Sequence, residues 1–339
     1  MKFKLAAVAV AVAAALALTA CGGGGSGGGG AGFVLPPPPP PAPPPPPPAP
    51  PPPAPAPIPS TRTFLYEALP VAGDSSAFAA HLNAQGARGF RFLSGFAFAT
   101  SPTTTEIVEG YVRDADATYS YETKPLTADN AAFLTQVNEA GARGFQWAGS
   151  YSVNGDIFYV YRKNNATPGT FSYRTVAMAT SKADFLAQAN SQGADGFYNV
   201  SPAFIAGGTS VAIYEKNSAT GATYGYEVAD FAGSDDAYLA QLNERGGRGF
   251  RYRTEYVFPD GGGVIYAKDL SQPATFSFYG LAPEGNSTAF IQQANTEGAK
   301  GAGLIGGMGL PSGSIQTLYF VPVNCSSGPL CMPVSLFGL

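Results

Sequence analysis

The sequence predicts an α+β fold built from five tandem strand-helix-strand-strand units of about 52 residues each. Two observations predict it. The segment NAQGARGF recurs as four near-copies, and the five copies open at Asn83, Asn138, Asn190, Asn243 and Asn295. A short run with alternating aromatic residues stands ahead of every copy, as in TFLYE and TYSYE. Even spacing and a repeated order of elements are typical of repeat proteins.

The run of aromatic residues predicts the first strand of each unit. Residues two apart point to the same face of a strand, so Phe64 and Tyr66 are expected to cover a buried face. Two further strands are expected after the glycine-rich segment. In the second unit they flank NGD, which is a strong hairpin signal.

The helix is predicted between a capping residue and a glycine. Candidate N-caps stand nine residues before the asparagines, at Asp74, Asp129, Ser181, Ser234 and Asn286. Glycines stand three residues after the asparagines, at Gly86, Gly141, Gly193, Gly246 and Gly298. We expect the helices to end there, since glycine adopts the left-handed conformation without steric cost. An aromatic residue followed four positions later by an apolar one, such as Phe78 and Leu82, predicts the buried helix face.

The first sixty residues differ from the rest. A basic start and the apolar run LAAVAVAVAAALALTA predict an export signal over residues 1–20, too short for a membrane span. The stretch LTAC resembles the lipobox of bacterial lipoproteins, and this resemblance implies that Cys21 carries the lipid anchor. Gly22 is not the aspartate that retains some members of that family in the inner membrane, so the resemblance favours the outer membrane.

Residues 21–60 are predicted to be a disordered stalk rich in glycine and proline. The proline-rich part, residues 36–59, would extend roughly 70 Å as a polyproline helix rising ~3.1 Å per residue. The five units are expected at residues 61–117, 118–169, 170–222, 223–274 and 275–339.

Cysteine use agrees with export. We call the five units, residues 61–339, the head. Its only cysteines are Cys325 and Cys331, which we expect to form a disulfide in an oxidising compartment. The sequence offers no cluster of metal ligands near them and predicts neither a metal site nor a cofactor.

The pattern LNAQGARGF, with the order of elements, resembles a small domain family of unknown function whose signature is leucine, asparagine, two residues, glycine, two residues, glycine and an aromatic residue. The resemblance covers the five units but is weaker in the fifth, where Ala302 replaces the aromatic residue. It implies a fold and no activity. Five units in this order also resemble, in outline, the five-fold propeller of guanidine-modifying enzymes. We therefore expect a closed ring, with an open array of repeats as the alternative.

The recurring asparagines allow two interpretations. Each carboxamide could satisfy backbone groups of the loop that follows it, or the five together could face a ligand. A phosphate-binding loop is disfavoured, because such loops place glycines before a helix and these glycines follow one. The basic residues between the glycines are expected to complement the helix dipole, and Asp195 breaks that pattern.

Charge and side-chain chemistry narrow the function. A net charge of -4 and a pI near 5.1 disfavour nucleic-acid binding. The single histidine, His81, stands at a polar helix position and is expected to be solvated. The sequence predicts a membrane-anchored, non-enzymatic scaffold or binding module for an envelope polymer or protein. The alternative is a propeller-type enzyme that uses Glu67, Glu122 and Glu227 in a central channel.

Overall fold

The structure is a computed structural model that describes residues 62–101, 103–167 and 169–333. The predicted export signal, the lipid-modified Cys21 and the stalk lie outside these residues. Among the helices of the described part, none is long and apolar enough to cross a membrane.

The described chain repeats strand, helix, strand, strand five times, as the sequence predicts. The first two units contain β1 (Leu65–Pro70), α1 (Ser75–Ala87), β2 (Arg91–Ser101), β3 (Thr104–Arg113), β4 (Tyr119–Pro125), α2 (Asn130–Ala142), β5 (Gln146–Val153) and β6 (Asp156–Asn164). The next two contain β7 (Phe171–Ala177), α3 (Lys182–Ala194), β8 (Tyr198–Ala206), β9 (Thr209–Asn217), β10 (Tyr224–Ala229), α4 (Asp235–Gly247), β11 (Arg251–Phe258) and β12 (Gly261–Asp269). The fifth contains β13 (Thr275–Leu281), α5 (Ser287–Ala299), β14 (Gly303–Gly309) and β15 (Ile315–Val323).

The three strands of each unit form one antiparallel sheet with the last strand in the middle, in the order β1-β3-β2 and its equivalents. The second and third strands are joined as the predicted hairpin. Each second strand contains a bulge near its start, between Phe92 and Ser94 in the first unit and at the equivalent place in the others. A bulge moves the following residues to the other face, so it decides which side chains point away from the helix.

All five predicted N-caps are confirmed: each side chain accepts a hydrogen bond from the backbone amide three residues later, as Asp74 does from Ala77. The predicted left-handed glycines are wrong by three residues. Gly86 lies inside α1, and the left-handed residue is Gly89, with φ of 86°. Its amide bonds the carbonyl of Gly86 while that of Phe90 bonds Gln85, which is a Schellman motif.

The first glycine of each segment is needed for a different reason, which is close approach to the next unit. A Cβ atom at Gly86 would lie 2.3 Å from the carbonyl oxygen of Tyr119 at the start of β4. At Gly298 it would lie 2.1 Å from the carbonyl oxygen of Phe64, just before β1. The other three glycines have the equivalent neighbour in the unit that follows them. Every helix therefore ends against the first strand of another unit, and α5 ends against the strand of the first.

The apolar face of each helix is buried between two sheets. Phe78 of α1 contacts Phe92 of its own unit and stacks on Tyr151 of the next, with ring centroids 5.3 and 4.4 Å apart. In the same way Phe290 of α5 packs against Phe96 of the first unit at 5.1 Å. The predicted apolar stripe is therefore confirmed, and it serves the neighbouring unit as well as its own.

After β15 the chain forms a short 3-10 helix, η1 (Pro329–Cys331). The disulfide between Cys325 and Cys331 is present, as the sequence predicts, and closes a loop around this turn. Leu330 and Cys331 are buried, so the C-terminal segment 325–333 is packed onto the head.

Two neighbouring glycines in α4 test the close approach directly. Gly246→Ala would place a methyl group 2.1 Å from the carbonyl oxygen of Phe276, whereas Gly247 has open space around it. We expect Gly246→Ala to lower the free energy of unfolding by roughly 1–3 kcal/mol, the usual range for overpacking. Gly247→Ala should leave it unchanged or raise it, because alanine is the better helix former. Urea unfolding of both variants measures the difference, and equal stabilities would contradict the assignment.

Candidate functional site

The five recurring asparagines join units rather than line a common site. The Oδ1 atom of Asn138 accepts from the amide of Tyr173 at 2.8 Å, and its Nδ2 donates to the carbonyl of the same residue at 3.3 Å. Tyr173 lies in β7, the first strand of the next unit. The same two-way contact joins Asn83 to Tyr121, Asn190 to Tyr226, Asn243 to Phe278 and Asn295 to Tyr66.

This contact corrects the expected partner, which was the loop after the helix. The loop bonds itself through the Schellman motif, so the carboxamide is left for the strand that packs on the helix end. Because the strand uses both ends of the amide group, the interpretation of the asparagines as a ring of ligand groups loses its support.

A tyrosine of the same strand reaches back into the preceding unit. The hydroxyl of Tyr121 accepts from the amide of Phe92, just before the bulge, at 2.8 Å. Tyr173, Tyr226 and Tyr66 make the equivalent bond to Trp147, Asn199 and Leu304. The fifth unit has Phe278 here. The bulge leaves an amide without a ladder partner, and the tyrosine of the neighbouring unit satisfies it.

The recurring glutamates at the end of strand one form ion pairs within their own units. Glu67 binds Arg88 at 2.7 Å and Glu122 binds Arg143 at 2.6 Å. In the third unit both charges are exchanged, and Arg174 binds Asp195 at 2.8 Å. Pairing therefore explains the Asp195 exception better than the expected complement to the helix dipole, since an acidic residue at that end would oppose the dipole.

The cations of these pairs also cover the aromatic residue of the repeated segment. In the first unit Arg88 and Arg113 lie 5.1 and 5.5 Å from the centroid of Phe90. In the third unit Arg174 takes over this place and lies 4.0 Å from Phe197. The ring of the aromatic residue thus lies between two cations, and the negative charge of its π face attracts both of them. The motif is structural in the four units that have it.

His81 is half-buried, whereas a solvated side chain was expected from the sequence. Its Nδ1 lies 3.0 Å from Oε2 of Glu109, a fully buried carboxylate. The other oxygen of Glu109 accepts from the amide of Ala72 at 2.8 Å, and Tyr111 donates to Oε2 at 2.7 Å. Glu109 thus connects the helix, the strand and the turn before the helix, which is a structural role.

A second set of residues has the features of a site. It occupies equivalent strand positions in different units, at the first residue of strand two and its partner on strand three, on the face opposite the helix. The residues are Arg91 with Val112, Gln146 with Arg162, Tyr198 with Glu215, Arg251 with Ala267, and Gly303 with Phe320. We call this set, with Asp114 and Asp269, the central polar cluster. Unlike the asparagines, it changes chemistry from unit to unit.

The first unit holds a buried ion pair in this cluster. Arg91 is 3 % exposed, and its Nε and Nη2 atoms donate to Oδ2 of Asp114 at 2.9 and 2.6 Å. Arg91 also donates to the carbonyl of Pro333 in the C-terminal segment. Pairing with Asp114 raises the pKa of Arg91 against the opposing effect of its burial.

The second and third units share a buried hydrogen-bonded chain. Arg162 donates to Gln146 at 2.6 Å, and Gln146 donates to Glu215 at 2.7 Å. Tyr173 donates to the other oxygen of Glu215 at 2.8 Å. Burial raises the pKa of Glu215 to about 7, although its hydrogen bonds oppose the shift. This carboxyl group can change charge near neutral pH.

The fourth unit has a buried arginine without a counter-ion. Arg251 is 1 % exposed and donates only one hydrogen bond within the described residues, from Nη1 to the carbonyl of Pro329 at 3.2 Å. Its Nε has no partner, and its guanidinium lies 4.0 Å from the ring centroid of Phe320. Burial lowers the pKa of Arg251 to about 9, because desolvation opposes the charge.

The cluster offers hydrogen-bond donors and positive charge to an acceptor group. Both cysteines of the head are joined in the disulfide. Across the described ranges, no three histidine, cysteine or acidic side chains are grouped as they would be around a metal ion. The donors and charges of the cluster are suited to binding a polar or anionic group.

The central polar cluster was not predicted from the sequence, although the sequence contains a pattern that indicates it. The residue after the glycine-aromatic pair differs among the units: it is arginine in GFR, glutamine in GFQ and tyrosine in GFY. A charged residue next to a buried aromatic one, at a position where other units are apolar, indicates a buried polar group. Glu215 is such a residue, because its equivalents include Val112, Ala267 and Phe320.

Comparisons with known proteins give no family for the chain: no family model, curated protein or solved structure matches it. The resemblance to a domain family of unknown function stays a prediction.

An asparagine substitution tests the junction between units. Asn138→Ala removes the side chain that bonds both backbone groups of Tyr173, so we expect it to lower the free energy of unfolding by roughly 1–3 kcal/mol. Glu139→Ala, at the adjacent exposed position, should change it by less than about 0.5 kcal/mol. Chemical denaturation of both variants gives the comparison, and an Asn138→Ala protein as stable as the control would refute the junction.

Glu215 makes stability depend on pH in a defined direction. Its pKa is raised from 4.5 to about 7 in the folded protein, so the folded state holds the proton more tightly than the unfolded state. The resulting stabilisation is fully present below about pH 4.5 and is lost as the pH rises through 7. Between pH 5 and 8 the wild type should lose roughly 2–3 kcal/mol relative to Glu215→Gln.

Urea unfolding of both proteins across this range measures the effect. Parallel pH curves for the wild type and Glu215→Gln would exclude a titrating Glu215.

Proposed function

We propose that this protein is a membrane-anchored, non-enzymatic scaffold or binding module of the cell envelope, with its five units closed into a ring. One observation carries the proposal: the residues that recur in the units are used to join the units. The asparagines and first glycines contact the next strand, and the second glycines close the helix ends. The recurring residues therefore hold the units together. The central polar cluster, which differs from unit to unit, is the surface that would bind a partner.

Closure of the ring is supported by the junction between the last and first units. Asn295 accepts from the amide of Tyr66 at 2.6 Å, and the amide of Phe64 donates to Gly298 at 3.0 Å. The hairpin of the first unit also reaches α5, since Glu106 accepts from the amide and hydroxyl of Ser287. The asparagine contact matches those at the other four junctions. In an open array the first strand of the first unit and the end of α5 would lack these partners.

The enzyme alternative has weaker support. It needs Glu67, Glu122 and Glu227 to share a channel, but each is bound to an arginine of its own unit. An exposed ion pair of this kind contributes little beyond local order. Among the carboxyl groups of the described residues, Glu215 is the one with a pKa raised to near neutral. The side chains bonded to it are Gln146, which is no nucleophile, and Tyr173, whose pKa burial raises well above its usual value.

The anchor is supported by sequence alone. Cys21 in the lipobox would carry the lipid, residues 22–60 would hold the head away from the membrane, and Gly22 favours the outer membrane. A Cys21→Ala variant should move from the membrane fraction to the soluble fraction of lysed cells. A variant that stays in the membrane fraction would contradict lipid anchoring.

Binding to the envelope is tested by sedimentation of residues 22–339, with the disulfide intact, with purified cell-wall sacculi and with protein-free outer-membrane vesicles. We expect the protein to pellet with sacculi at moderate salt concentration, and the stalk alone, residues 22–60, to remain in solution. Protein that stays in the supernatant with both materials would exclude polymer and lipid as partners. Crosslinking in intact cells would then look for a protein partner.

A further inference from the structure

Arg251 and Arg91 occupy the same position in two units, yet only one has a counter-ion. Each is the first residue of its second strand, and an aspartate lies two positions beyond its partner along the chain of the third strand: Asp114, just after β3, in the first unit and Asp269, the last residue of β12, in the fourth. Asp114 binds Arg91. Among the described residues no carboxylate oxygen lies within ion-pair distance of Arg251, although Asp269 is in the same register.

Asp269 is used elsewhere. Its Oδ1 accepts from the amide and hydroxyl of Ser271 at 2.9 and 2.6 Å, and its Oδ2 accepts from Gln272 at 2.7 Å. Gln272 in turn bonds the carbonyl of Ser327 and the amide of Ser326. The aspartate that could neutralise Arg251 therefore holds the turn that binds the disulfide loop.

The surroundings of Arg251 are those of an incomplete anion site. A buried guanidinium without a counter-ion carries a large desolvation cost that its carbonyl bond and aromatic contact only partly offset. Tyr198, 5 % exposed, has a hydroxyl group without a hydrogen-bond partner and occupies the position in the third unit that Arg251 occupies in the fourth. Arg253 lies 4.7 Å from the Tyr198 ring centroid and adds a second positive charge. Two unsatisfied buried donors and two cations thus lie in one region.

We propose that Arg251 and Tyr198 form a binding site for an oxyanion, the carboxylate or phosphate group of a ligand, which replaces the carbonyl of Pro329. Guanidinium groups bind both oxyanions through paired hydrogen bonds that a single carbonyl cannot supply, and Nε and the Nη groups are arranged for this. The segment 325–333 covers the site from the side of Pro329. This site rests on the proposed function as a binding module and names the chemistry of its ligand.

Thermal unfolding of the full chain at pH 7.5 and constant ionic strength tests the proposal, with chloride replaced by phosphate or by acetate. We expect at least one of these ions to raise the Tm by about 3 °C through preferential binding to the folded state. A rise with phosphate alone assigns a phosphate ligand, and a rise with acetate alone assigns a carboxylate. No rise with either ion overturns the site.

Variants separate the site from general salt effects. Arg251→Met should abolish the ion-dependent rise and, in chloride, should unfold at the same or a higher temperature than the wild type, because an uncompensated charge is removed. Its control, Arg143→Met, removes an exposed guanidinium that binds Glu122 outside the central polar cluster, and it should keep the rise. A full rise in Arg251→Met overturns the proposal.

Tyr198→Phe removes one hydroxyl group and keeps the ring, so it decides the matter if Arg251→Met fails to fold. We expect it to at least halve the rise, and an unchanged rise overturns the proposal. Because free ions are used, failure here leaves the sedimentation result with sacculi unaffected, and failure there leaves this result unaffected.

Discussion

The structure depends on how closely each helix end approaches the first strand of the next unit. At Gly141 the backbone of α2 lies so near the carbonyl of Phe171 that no side chain fits between them. Asn138, one turn earlier, then reaches both backbone groups of Tyr173. The close approach at Gly141 and the hydrogen bonds of Asn138 therefore occur at the same junction. A unit of about fifty residues buries too little surface to be stable alone, and this junction provides the missing contacts.

The same junction decides where chemistry can vary. Because the recurring residues are engaged between units, a change in one of them weakens the frame. The strand positions of the central polar cluster lie on the opposite face, just before the bulge, and take no part in the asparagine and glycine contacts. There the fold places a paired arginine in the first unit, a titrating carboxyl group in the third and an unpaired arginine in the fourth. Five equivalent junctions are thus combined with a central polar cluster whose residues differ from unit to unit.

Much of the fold follows from local sequence patterns. The N-caps, the hairpins, the aromatic strands and the disulfide depend on residues that are close along the chain, and periodicity identifies them. The partner of each asparagine does not follow in this way, since Asn138 and Tyr173 lie in different units and Asn295 pairs with Tyr66 at the other end of the head. The left-handed glycine was misplaced because two glycines stand three residues apart and local preference alone does not say which is required by close packing.

The central polar cluster was harder to predict, because it depends on strand register. The pairing of strands two and three decides which residue lies beside Arg91 or Gln146, and no local period in the sequence gives that pairing. Arg251 looks like any surface arginine in the sequence. Only the pairing of β11 with β12 and the position of Pro329 show that it is buried.

The central claim is that five equivalent junctions join the units, including the one between α5 and β1. Native-state hydrogen exchange of single amides, read by NMR, tests it most directly. The account predicts that the amide of Tyr66, bonded to Asn295, exchanges as slowly as the amides of Tyr121, Tyr173, Tyr226 and Phe278, which are bonded to the other asparagines. Fast exchange at Tyr66 with slow exchange at the other four would show that the last unit does not hold the first, and would contradict the closed ring.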